Sequence, residues 1–441
     1  MAQRLTTIAT IVAASALLLS GCSAAGADSG STTTTVSFRL WDETVAAAYE
    51  DSFEEFEDQN PDIEVEVNVV DWADYWTKLR TDVAGKTMDD VFWVNNSYFG
   101  AYADSGNLVD IDAVFGEEAR SGWEESVVKQ FTRDGTLWGV PQLYDAGIAV
   151  YYNADLLEAA GIDPAELDDL VWSPDETEDT YLPVARQLTL DAAGVSAAAS
   201  GFDGKPVQYG TNLAYDLQAI LLPFIGSNGG AYQDGEEFAF SDPKTVEAVE
   251  YLVNGINTAK VAPAAAETSA DGDLSRDAFL NGSMALFQSG LYNLKNVEDG
   301  ADFDWGVASM PAGPEGRVSV TNGVVVAGNA ASDKQDAISK VLTWLGSEEG
   351  NSYLGAEGAA VPALKSAQKS YFDYWKKNDV DVKPFFDVVD DKTSIPAPAG
   401  PSFDKGFAEF DPIFQQIFAG KVDPAEGLQQ AEDAANRAIA G

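Results

Sequence analysis

The chain of 441 residues contains no histidine and a single cysteine, Cys22. Without histidine, the protein cannot carry Ser-His-Asp or Cys-His catalysis, nor can it build the His-Glu-x-x-His zinc site of metalloproteases. A lone cysteine cannot form an internal disulfide or a site of several thiolates. Catalysis by paired carboxylates, as in glycosidases, is compatible with these absences.

Basic side chains are also scarce, since 26 Lys and Arg stand against 72 Asp and Glu, for a formal net charge of −46. A surface this acidic repels nucleic acid and anionic lipid headgroups, so we exclude both as ligands. Solubility in an exterior setting is the simplest explanation of the acidity. A hydrophobic content of 45% excludes general disorder.

Cys22 follows a stretch that is typical of a bacterial secretion signal. Arg4 is the only charge before it, and an apolar run extends from Ile8 to Leu19. Leu-Ser-Gly-Cys at 19–22 resembles the lipobox, whose cysteine becomes the lipidated first residue of the mature protein. We therefore predict a signal peptide at 1–21, a lipidated Cys22 with a flexible tether at 22–35, and anchoring at the outer face of the bacterial cell membrane. The alternative is a buried cysteine in an uncleaved helix.

The first part of the body alternates between strand and helix patterns. Strands are predicted over 35–41, 62–70 and 89–96, and helices over 46–61 and 71–85, the second one opening at Asp71 and closing at Gly85. This order is typical of a doubly wound α/β half, and the chain length favours two lobes. Ligands bind outside the carboxyl ends of strands in such sheets, which places Trp41, Asp42, Asn95 and Asn96 at one rim.

The rest of the chain continues the alternation. Segment 135–162 predicts a hairpin with a turn at Gly139-Val140-Pro141, followed by an apolar strand and a helix. An acidic loop is predicted at 173–181 and a helix at 241–260. Asn281-Gly282 predicts a turn between a helix and a buried strand, and 321–328 predicts another buried strand. A helix is predicted at the end of the chain.

Six segments in this order resemble the extracellular solute-binding proteins of ABC importers, specifically their large carbohydrate-binding group. They are FEEFEDQNPDIEVEV, DYWTKLRTDVAGKTMDDVFWV, GTLWGVPQLYDAGIAVYYNADLLEAAGI, GSMALFQSG, WGVASMPAGPEG and LGAEGAAVPAL. Each is weak alone, but together they span nearly all of the chain after the tether. The acidic loop at 173–181 is longer than in many members of that family.

The resemblance implies an α/β, two-lobed periplasmic-binding-protein-like fold of type II, with the ligand in the cleft between lobes joined by hinge crossings. It implies an N-terminal lobe of residues 36–144 and 312–352 and a C-terminal lobe of 145–311 and 353–441. It further implies a monomer without cofactor or catalysis, which closes around a carbohydrate and presents a surface to the importer's permease subunits. The lipid anchor would be the only contact with the membrane.

A sugar offers apolar C–H faces and a rim of hydroxyls, so aromatic residues next to carboxylates or amides are candidate contacts. Tyr144 and Asp145 lie where the family's chain first crosses between lobes, and Gly290 would allow close approach of the backbone to the ligand. The candidate ligand-binding residues are Trp41, Asp42, Glu43, Asn95, Asn96, Tyr98, Tyr144, Asp145, Tyr215, Ser289, Gly290, Tyr292, Asn322 and Gly323.

Each candidate also has a purely structural interpretation. Trp41 could lie in the core while Asp42 and Glu43 cap the following helix, and Asn95-Asn96 could form an ordinary polar turn. Helical spacing predicts packing roles for Trp72, Tyr75 and Trp76, and apolar surroundings do so for Trp305 and Trp344. The acidic segment 271–279 lacks the glycine and glutamate of a calcium loop, so no metal site is predicted there.

Two other functions compete with sugar capture. A lipid-anchored glycosidase would need a pair of carboxyl groups at a fixed separation, and 72 acids make such pairs abundant by chance. A binding protein for another neutral or cationic solute, such as a polyamine, would share the fold. An anionic ligand is disfavoured because no candidate contact is Lys or Arg.

Overall fold

A computed structural model describes residues 33–269, 272–390, 393–400 and 402–441. The predicted signal peptide, Cys22 and most of the predicted tether lie outside the described residues. Within the described ranges no helix is long and apolar enough to cross a membrane.

Fifteen strands and eighteen α-helices are found in the described ranges. The strands are Thr34–Leu40 (β1), Ile63–Val69 (β2), Val91–Asn95 (β3), Thr132–Arg133 (β4), Thr136–Leu137 (β5), Val140–Asp145 (β6), Ile148–Asn153 (β7), Leu190–Asp191 (β8), Pro206–Gln208 (β9), Gln233–Asp234 (β10), Glu237–Phe238 (β11), Leu286–Gly290 (β12), Trp305–Ser309 (β13), Ser319–Gly328 (β14) and Ser394–Pro396 (β15).

The α-helices are Glu43–Gln59 (α1), Trp72–Gly85 (α2), Asn96–Asp104 (α3), Ile111–Phe115 (α4), Glu125–Gln130 (α5), Ala154–Ala160 (α6), Tyr181–Leu188 (α7), Leu222–Ser227 (α8), Pro243–Asn257 (α9), Ala265–Thr268 (α10), Leu274–Leu280 (α11), Leu294–Gly300 (α12), Gln335–Leu345 (α13), Glu348–Ala356 (α14), Lys369–Lys377 (α15), Lys383–Asp390 (α16), Phe403–Phe418 (α17) and Pro424–Ala440 (α18). A π-helical turn at Leu217–Leu221 precedes α8.

The first and larger sheet has the order β2-β1-β3-β14, and β6 and β15 both pair with β14. Strands β1, β2 and β3 are parallel, as their strand–helix–strand order in the sequence predicts. Strand β14 runs antiparallel to β3, and β6 runs antiparallel to β14. The start of β14 and the end of β6 therefore lie at the same edge as the carboxyl ends of β1 and β3.

The second sheet is antiparallel, with the order β12-β7-β13. The chain passes from the first sheet to the second between Asp145 and Ile148, and returns between Ser309 and Ser319. Ser319 stabilises the connection between Asp145 and Ile148, because its hydroxyl accepts a 2.7 Å hydrogen bond from the backbone N–H of Ile148. The two sheets are thus connected at the edge where β6 ends and β14 begins.

Helix α1 shows how the local pattern produces the layers. Its buried Val45, Tyr49, Phe53 and Phe56 recur every three or four residues and face the sheet. Burial of each such side chain contributes about 1.5–3 kcal/mol. The strand and helix predictions for residues 35–96 are confirmed, with boundaries shifted by at most three residues.

One local prediction is wrong. No turn forms at Gly139-Val140-Pro141, because Val140 and Pro141 belong to β6 and pair with β14. Helix α2 ends at Gly85 as predicted, and the residue that follows it, Lys86, adopts the left-handed conformation with φ of 58°. The predicted terminal helix is two helices, α17 and α18, which pack against each other.

Candidate functional site

The carboxyl edge of the first sheet brings together candidates from four distant parts of the sequence. Trp41 directly follows β1, Asn95 ends β3, and Asp145 ends β6. In the pairing of β6 with β14, Asp145 stands opposite Asn322 and Tyr144 opposite Gly323. The predicted rim forms one edge of the sheet because β14 is antiparallel to both β3 and β6.

Trp41 lies at the centre of an aromatic group on this edge. Its ring centroid is 4.7 Å from that of Trp93, 5.3 Å from that of Trp72 and 5.5 Å from that of Trp76. Tyr75 and Trp76 are buried, as their helical spacing predicts. The packing prediction is wrong for Trp72, because half of its side chain, 50%, is exposed. An exposed indole beside Trp41 offers an apolar face to a ligand.

Asp42 has a structural role on the same edge. It precedes α1, and its Oδ1 accepts a 3.0 Å hydrogen bond from the backbone N–H of Val45. The helix-capping interpretation of Asp42 is therefore correct, and Glu43 is exposed in the first turn. Desolvation raises the pKa of Asp42, while the charge of Arg276 on α11 opposes this rise. Helix α11 packs against β12 of the second sheet. Asp42, at the edge of the first sheet, therefore lies close to a helix that belongs with the second sheet.

Among the acids at this edge, Asp145 has the most strongly shifted pKa. Burial, and secondarily the nearby charge of Asp42, raises its pKa to about 7. Burial raises the pKa of Tyr292, of Tyr151 and of Tyr371, and the charge of Asp145 adds to each rise. These three phenols come from the second sheet and from α15, so Asp145 lies where the two sides of the molecule meet. Perturbed acids of this kind are typical of functional sites.

Tyr292 reaches the site from the end of β12. A Cβ at Gly290 would stand 2.2 Å from the Tyr292 ring, so glycine there allows the ring to lie against the strand. Burial raises the pKa of Tyr292, and the charge of Asp216 adds to the shift. The Ser289 hydroxyl is buried and accepts a 2.8 Å hydrogen bond from Asn293. Gly290 and Ser289 therefore position Tyr292.

Asn322 links the first sheet to the second side of the molecule. Its Nδ2 donates a 3.2 Å hydrogen bond to Oε1 of Gln218, in the π-helical turn. Gly323 packs instead against α5, since a Cβ there would stand 2.8 Å from a methyl group of Val127. Tyr144 is buried, and its backbone N–H donates to the carbonyl of Val361.

The remaining candidates lie further along the edge. Asn95 is buried, and the Asn96 Nδ2 donates a 2.8 Å hydrogen bond to the carbonyl of Ala397. Tyr98 stacks on Trp76 with centroids 3.9 Å apart. Tyr215 stacks on Phe414 of α17 at 5.3 Å, so its ring packs against this helix. These residues border the contact between α3 and α17.

The structure adds two groups that sequence patterns did not indicate. Asp216 is exposed, yet protein surrounds it closely enough for desolvation to raise its pKa, as expected of a side chain on a cleft wall. On α15, the Tyr371 hydroxyl and the Trp375 indole N–H are buried close to each other; burial raises the pKa of Tyr371, and the contact with Trp375 opposes this rise. The spacing of Tyr371 and Trp375 by one helical turn is visible in the sequence, but the same spacing predicts packing in the core as readily as a place in a ligand site.

The model of the family described as bacterial extracellular solute-binding protein matches residues 41–352. Among solved structures, UspC of M. tuberculosis is 53% identical, with a TM-score of 0.71 over 92% of this chain and 100% of that chain. Lmo0181, an ABC substrate-binding protein from Listeria monocytogenes in complex with cycloalternan, is 24% identical, with a TM-score of 0.78 over 92% of this chain and 99% of that chain. The arabinooligosaccharide-binding protein of Bacillus subtilis (strain 168) is 22% identical over 253 residues, which cover 56% of this chain and 53% of that protein.

These comparisons confirm the fold predicted from the sequence, a two-lobed α/β architecture of the periplasmic-binding-protein type. The matched residues include most of the edge described above, from Trp41 through Asp145 and Tyr292 to Asn322. The chain belongs to the family of bacterial extracellular solute-binding proteins.

Proposed function

We propose that this protein captures a sugar or oligosaccharide outside the membrane and delivers it to the permease of an ABC importer. One observation carries the proposal: aromatic faces and carboxylates at the edge of the first sheet lie close to a tyrosine hydroxyl from the second sheet. Trp41 and the exposed Trp72 supply apolar faces, while Asp42, Asp145 and the Tyr292 hydroxyl supply polar partners. This combination matches the C–H faces and hydroxyl rim of a neutral polyol.

The comparisons support a carbohydrate as the ligand class. Lmo0181 was solved with cycloalternan bound, and the similar B. subtilis protein is named for arabinooligosaccharides. The family match supports capture without chemistry, so we propose that the bound sugar leaves unchanged. Formation of product from a glycoside, abolished by substitution of one carboxylate, would instead establish a glycosidase.

Delivery requires the lobes to close on the ligand and to present a surface to the permease. We propose lobes of residues 36–144 with 312–352, and of 145–311 with 353–441, which turn about the passages at Asp145–Ile148 and Ser309–Ser319. Closure is then a population shift toward the state in which the ligand touches both lobes. The hydrogen bond from Asn322 to Gln218 supports such an arrangement, because it spans the two sides.

Cys22 completes the proposal with a lipid anchor. The lipobox-like sequence and the tether would keep a monomeric binding protein at the outer face of the cell membrane, within reach of its permease. The membrane contact is limited to the acyl chains, because the net charge of −46 disfavours contact with anionic headgroups.

The cluster of acids favours one alternative ligand class, a cationic solute such as a polyamine. Burial and the nearby charge of Asp42 raise the pKa of Asp145, and the charge of Asp216 acts on Tyr292 of the same group. A cation would relieve the repulsion between these carboxylates.

A thermal-shift screen separates the two classes, because a bound ligand stabilises the folded state by mass action. The panel contains mono- and oligosaccharides of several types, with polyamines and amino acids alongside. A shift of several degrees with one sugar series, followed by X-ray scattering that shows compaction, is the expected result. A shift with polyamines and none with sugars would overturn the carbohydrate proposal.

A further inference from the structure

The four rings around Trp41 differ in how firmly the protein holds them. Trp72 is 50% exposed, whereas Tyr75 and Trp93 are 0% and 1% exposed. Of the four, Trp93 lies nearest to Trp41, with ring centroids 4.7 Å apart and ring planes at 72°. Trp93 is therefore the buried side chain that most closely supports the Trp41 ring.

Hydrogen bonds hold Trp93 at two points. Its backbone carbonyl accepts a 2.8 Å bond from the Tyr75 hydroxyl, and its indole N–H donates a 3.2 Å bond to the Tyr49 hydroxyl. An indole has a single N–H, so a bond at that atom fixes the rotation of the ring. Tyr49 belongs to α1 and Tyr75 to α2, so two different helices set the orientation of this indole.

The bond from the Trp93 indole continues into a buried polar chain. The Tyr49 hydroxyl donates a 3.0 Å bond to Oε1 of Gln142, and Nε2 of Gln142 donates a 3.0 Å bond to the carbonyl of Leu345. Tyr49 and Gln142 are both 0% exposed. Burial raises the pKa of Tyr49, so the phenol is neutral and keeps the proton that it donates. Each link thus has a donor and an acceptor, and such a network restricts the rotation of its members.

Gln142 connects this chain to the strand of a second candidate contact. It belongs to β6, which ends at Asp145, whereas Trp93 belongs to β3. Both strands pair with β14, which separates them in the sheet. The side-chain bonds therefore connect the strand of Asp145 with the ring that supports Trp41.

We propose that Trp93 is a positioning residue: held by the Tyr49–Gln142 chain, it fixes the plane of the Trp41 ring before a sugar stacks on that ring. This inference rests on the proposed function, because it concerns the same site. Trp93 acts through Trp41, since it is itself 1% exposed. A ring that is already ordered spares the ligand the entropy cost of ordering it, which corresponds to an affinity gain of about 2- to 12-fold for one side chain.

Two hydroxyls on α1 provide a matched pair of variants. Tyr49→Phe keeps the ring and removes the hydroxyl that joins the Trp93 indole to its acceptor. Ser52→Ala is the control, because the Ser52 hydroxyl is also 0% exposed, accepts a 2.9 Å bond from the Trp344 indole and donates a 3.1 Å bond to the Gly350 carbonyl. We expect both variants to lower the melting temperature by about 2 °C, since each loses one buried hydroxyl between an indole N–H and an acceptor.

Two measurements on the full-length protein separate positioning from stability. Nuclear magnetic resonance of the isotope-labelled, ligand-free protein follows the Trp41 indole N–H signal, which is assigned by its loss in Trp41→Phe. Tyr49→Phe should shift or broaden this signal, and Ser52→Ala should leave it unchanged. Calorimetry with glucose, maltose, mannobiose and arabinobiose should show about 5-fold weaker binding of the recognised sugar in Tyr49→Phe, and a change of less than about 2-fold in Ser52→Ala.

Trp93→Phe removes the same hydrogen bond from its other end and should repeat the loss of affinity; it replaces Tyr49→Phe if that variant does not fold. A Trp41 signal that neither variant moves would overturn the inference, and so would affinity changes equal to that of Ser52→Ala. Failure of the parent chain to bind any of these sugars would overturn the proposed function and the stacking role of Trp41. In that case the indole signal alone decides whether Trp93 orients the Trp41 ring.

Discussion

The Thr44 hydroxyl donates a 3.0 Å hydrogen bond to the Asn296 side-chain oxygen, although the two residues are 252 positions apart. Thr44 lies in the first turn of α1, and Asn296 lies on α12, beside the second sheet. The bond therefore joins the two sides of the molecule near Asp42. A contact that exists only when the sides approach each other stabilises the closed state.

Thr44→Val should weaken this closure without disturbing the fold, since the substitution keeps the side-chain shape. Loss of one hydrogen bond of about 1 kcal/mol predicts a roughly 5-fold weaker sugar affinity and a larger radius of gyration of the ligand-free protein. Calorimetry and X-ray scattering measure the two effects. A variant with unchanged scattering and unchanged affinity would refute a role of this bond in closure.

Trp72→Ala should separate binding from stability. The side chain is 50% exposed, so its loss should change the free energy of unfolding by less than about 1 kcal/mol, while sugar affinity falls about 10- to 100-fold. Trp344→Ala is the matched control, because that indole is 7% exposed and donates a 2.9 Å hydrogen bond to Ser52. Its removal should cost about 3–5 kcal/mol of stability in urea unfolding. Equal destabilisation by the two variants would contradict a ligand-facing Trp72.

The raised pKa of Asp145 predicts that the stability of the protein depends on pH. Its folded-state pKa of about 7 lies above the value of about 3.9 expected in the unfolded chain. Between these values the folded protein holds a proton that the unfolded chain has lost, so the free energy of unfolding falls as the pH rises through that window. Asp145→Asn removes this penalty.

The stability gained by Asp145→Asn should therefore be near zero at pH 4 and reach roughly 4 kcal/mol above pH 7, since each pKa unit between the folded and unfolded values corresponds to about 1.4 kcal/mol. Urea unfolding at several pH values measures the difference, with the exposed Glu50→Gln as control. The same variant should lose sugar affinity above pH 7, where the Asp145 carboxyl is ionised, because an amide replaces the charge-assisted acceptor. A stability difference independent of pH would contradict the raised pKa.

Tyr371→Phe should weaken ligand binding with little loss of stability. The Tyr371 hydroxyl is buried near Asp145, and its contact within the protein is with the Trp375 side chain one turn further along α15. Affinity for the sugar should fall about 10-fold, whereas the free energy of unfolding changes by less than about 1 kcal/mol. Tyr151→Phe is the control, because the Tyr151 hydroxyl donates a 2.7 Å hydrogen bond to the Gly290 carbonyl, and its loss should cost about 1–2 kcal/mol.

Cys22→Ser should release the protein from the membrane. The lipobox-like sequence predicts that acyl chains on Cys22 are the only anchor. Detergent phase partitioning of expressed protein should therefore find the parent chain in the detergent phase and the variant in the aqueous phase. A variant that still partitions with detergent would show a different anchor.

The local order of strands and helices could be predicted from the sequence, because apolar residues that will be buried recur at the spacing of a strand or a helix among neighbouring positions. The spacing of Tyr49, Phe53 and Phe56 specifies the buried face of α1 whatever the rest of the chain does. The rule that ligands bind at carboxyl ends of strands likewise placed Trp41 and Asn95 at one edge. By itself, the sequence thus determined the α/β class, the edge of the sheet at which the candidate residues lie, and the absence of histidine and disulfide chemistry.

The partners of each side chain were decided only by the tertiary structure. Trp72 and Trp76 lie one turn apart on the same helix, yet one is exposed and the other buried, because coverage depends on which distant segment packs above each position. Pro141 was predicted in a turn but forms part of β6, since pairing with β14 outweighs the local turn preference. The meeting of Asp145 with Tyr371, and of Tyr102 with Asp404, depends on the packing of α15 and α17 against earlier elements. Such contacts join residues far apart in the chain, and no short-range pattern encodes them.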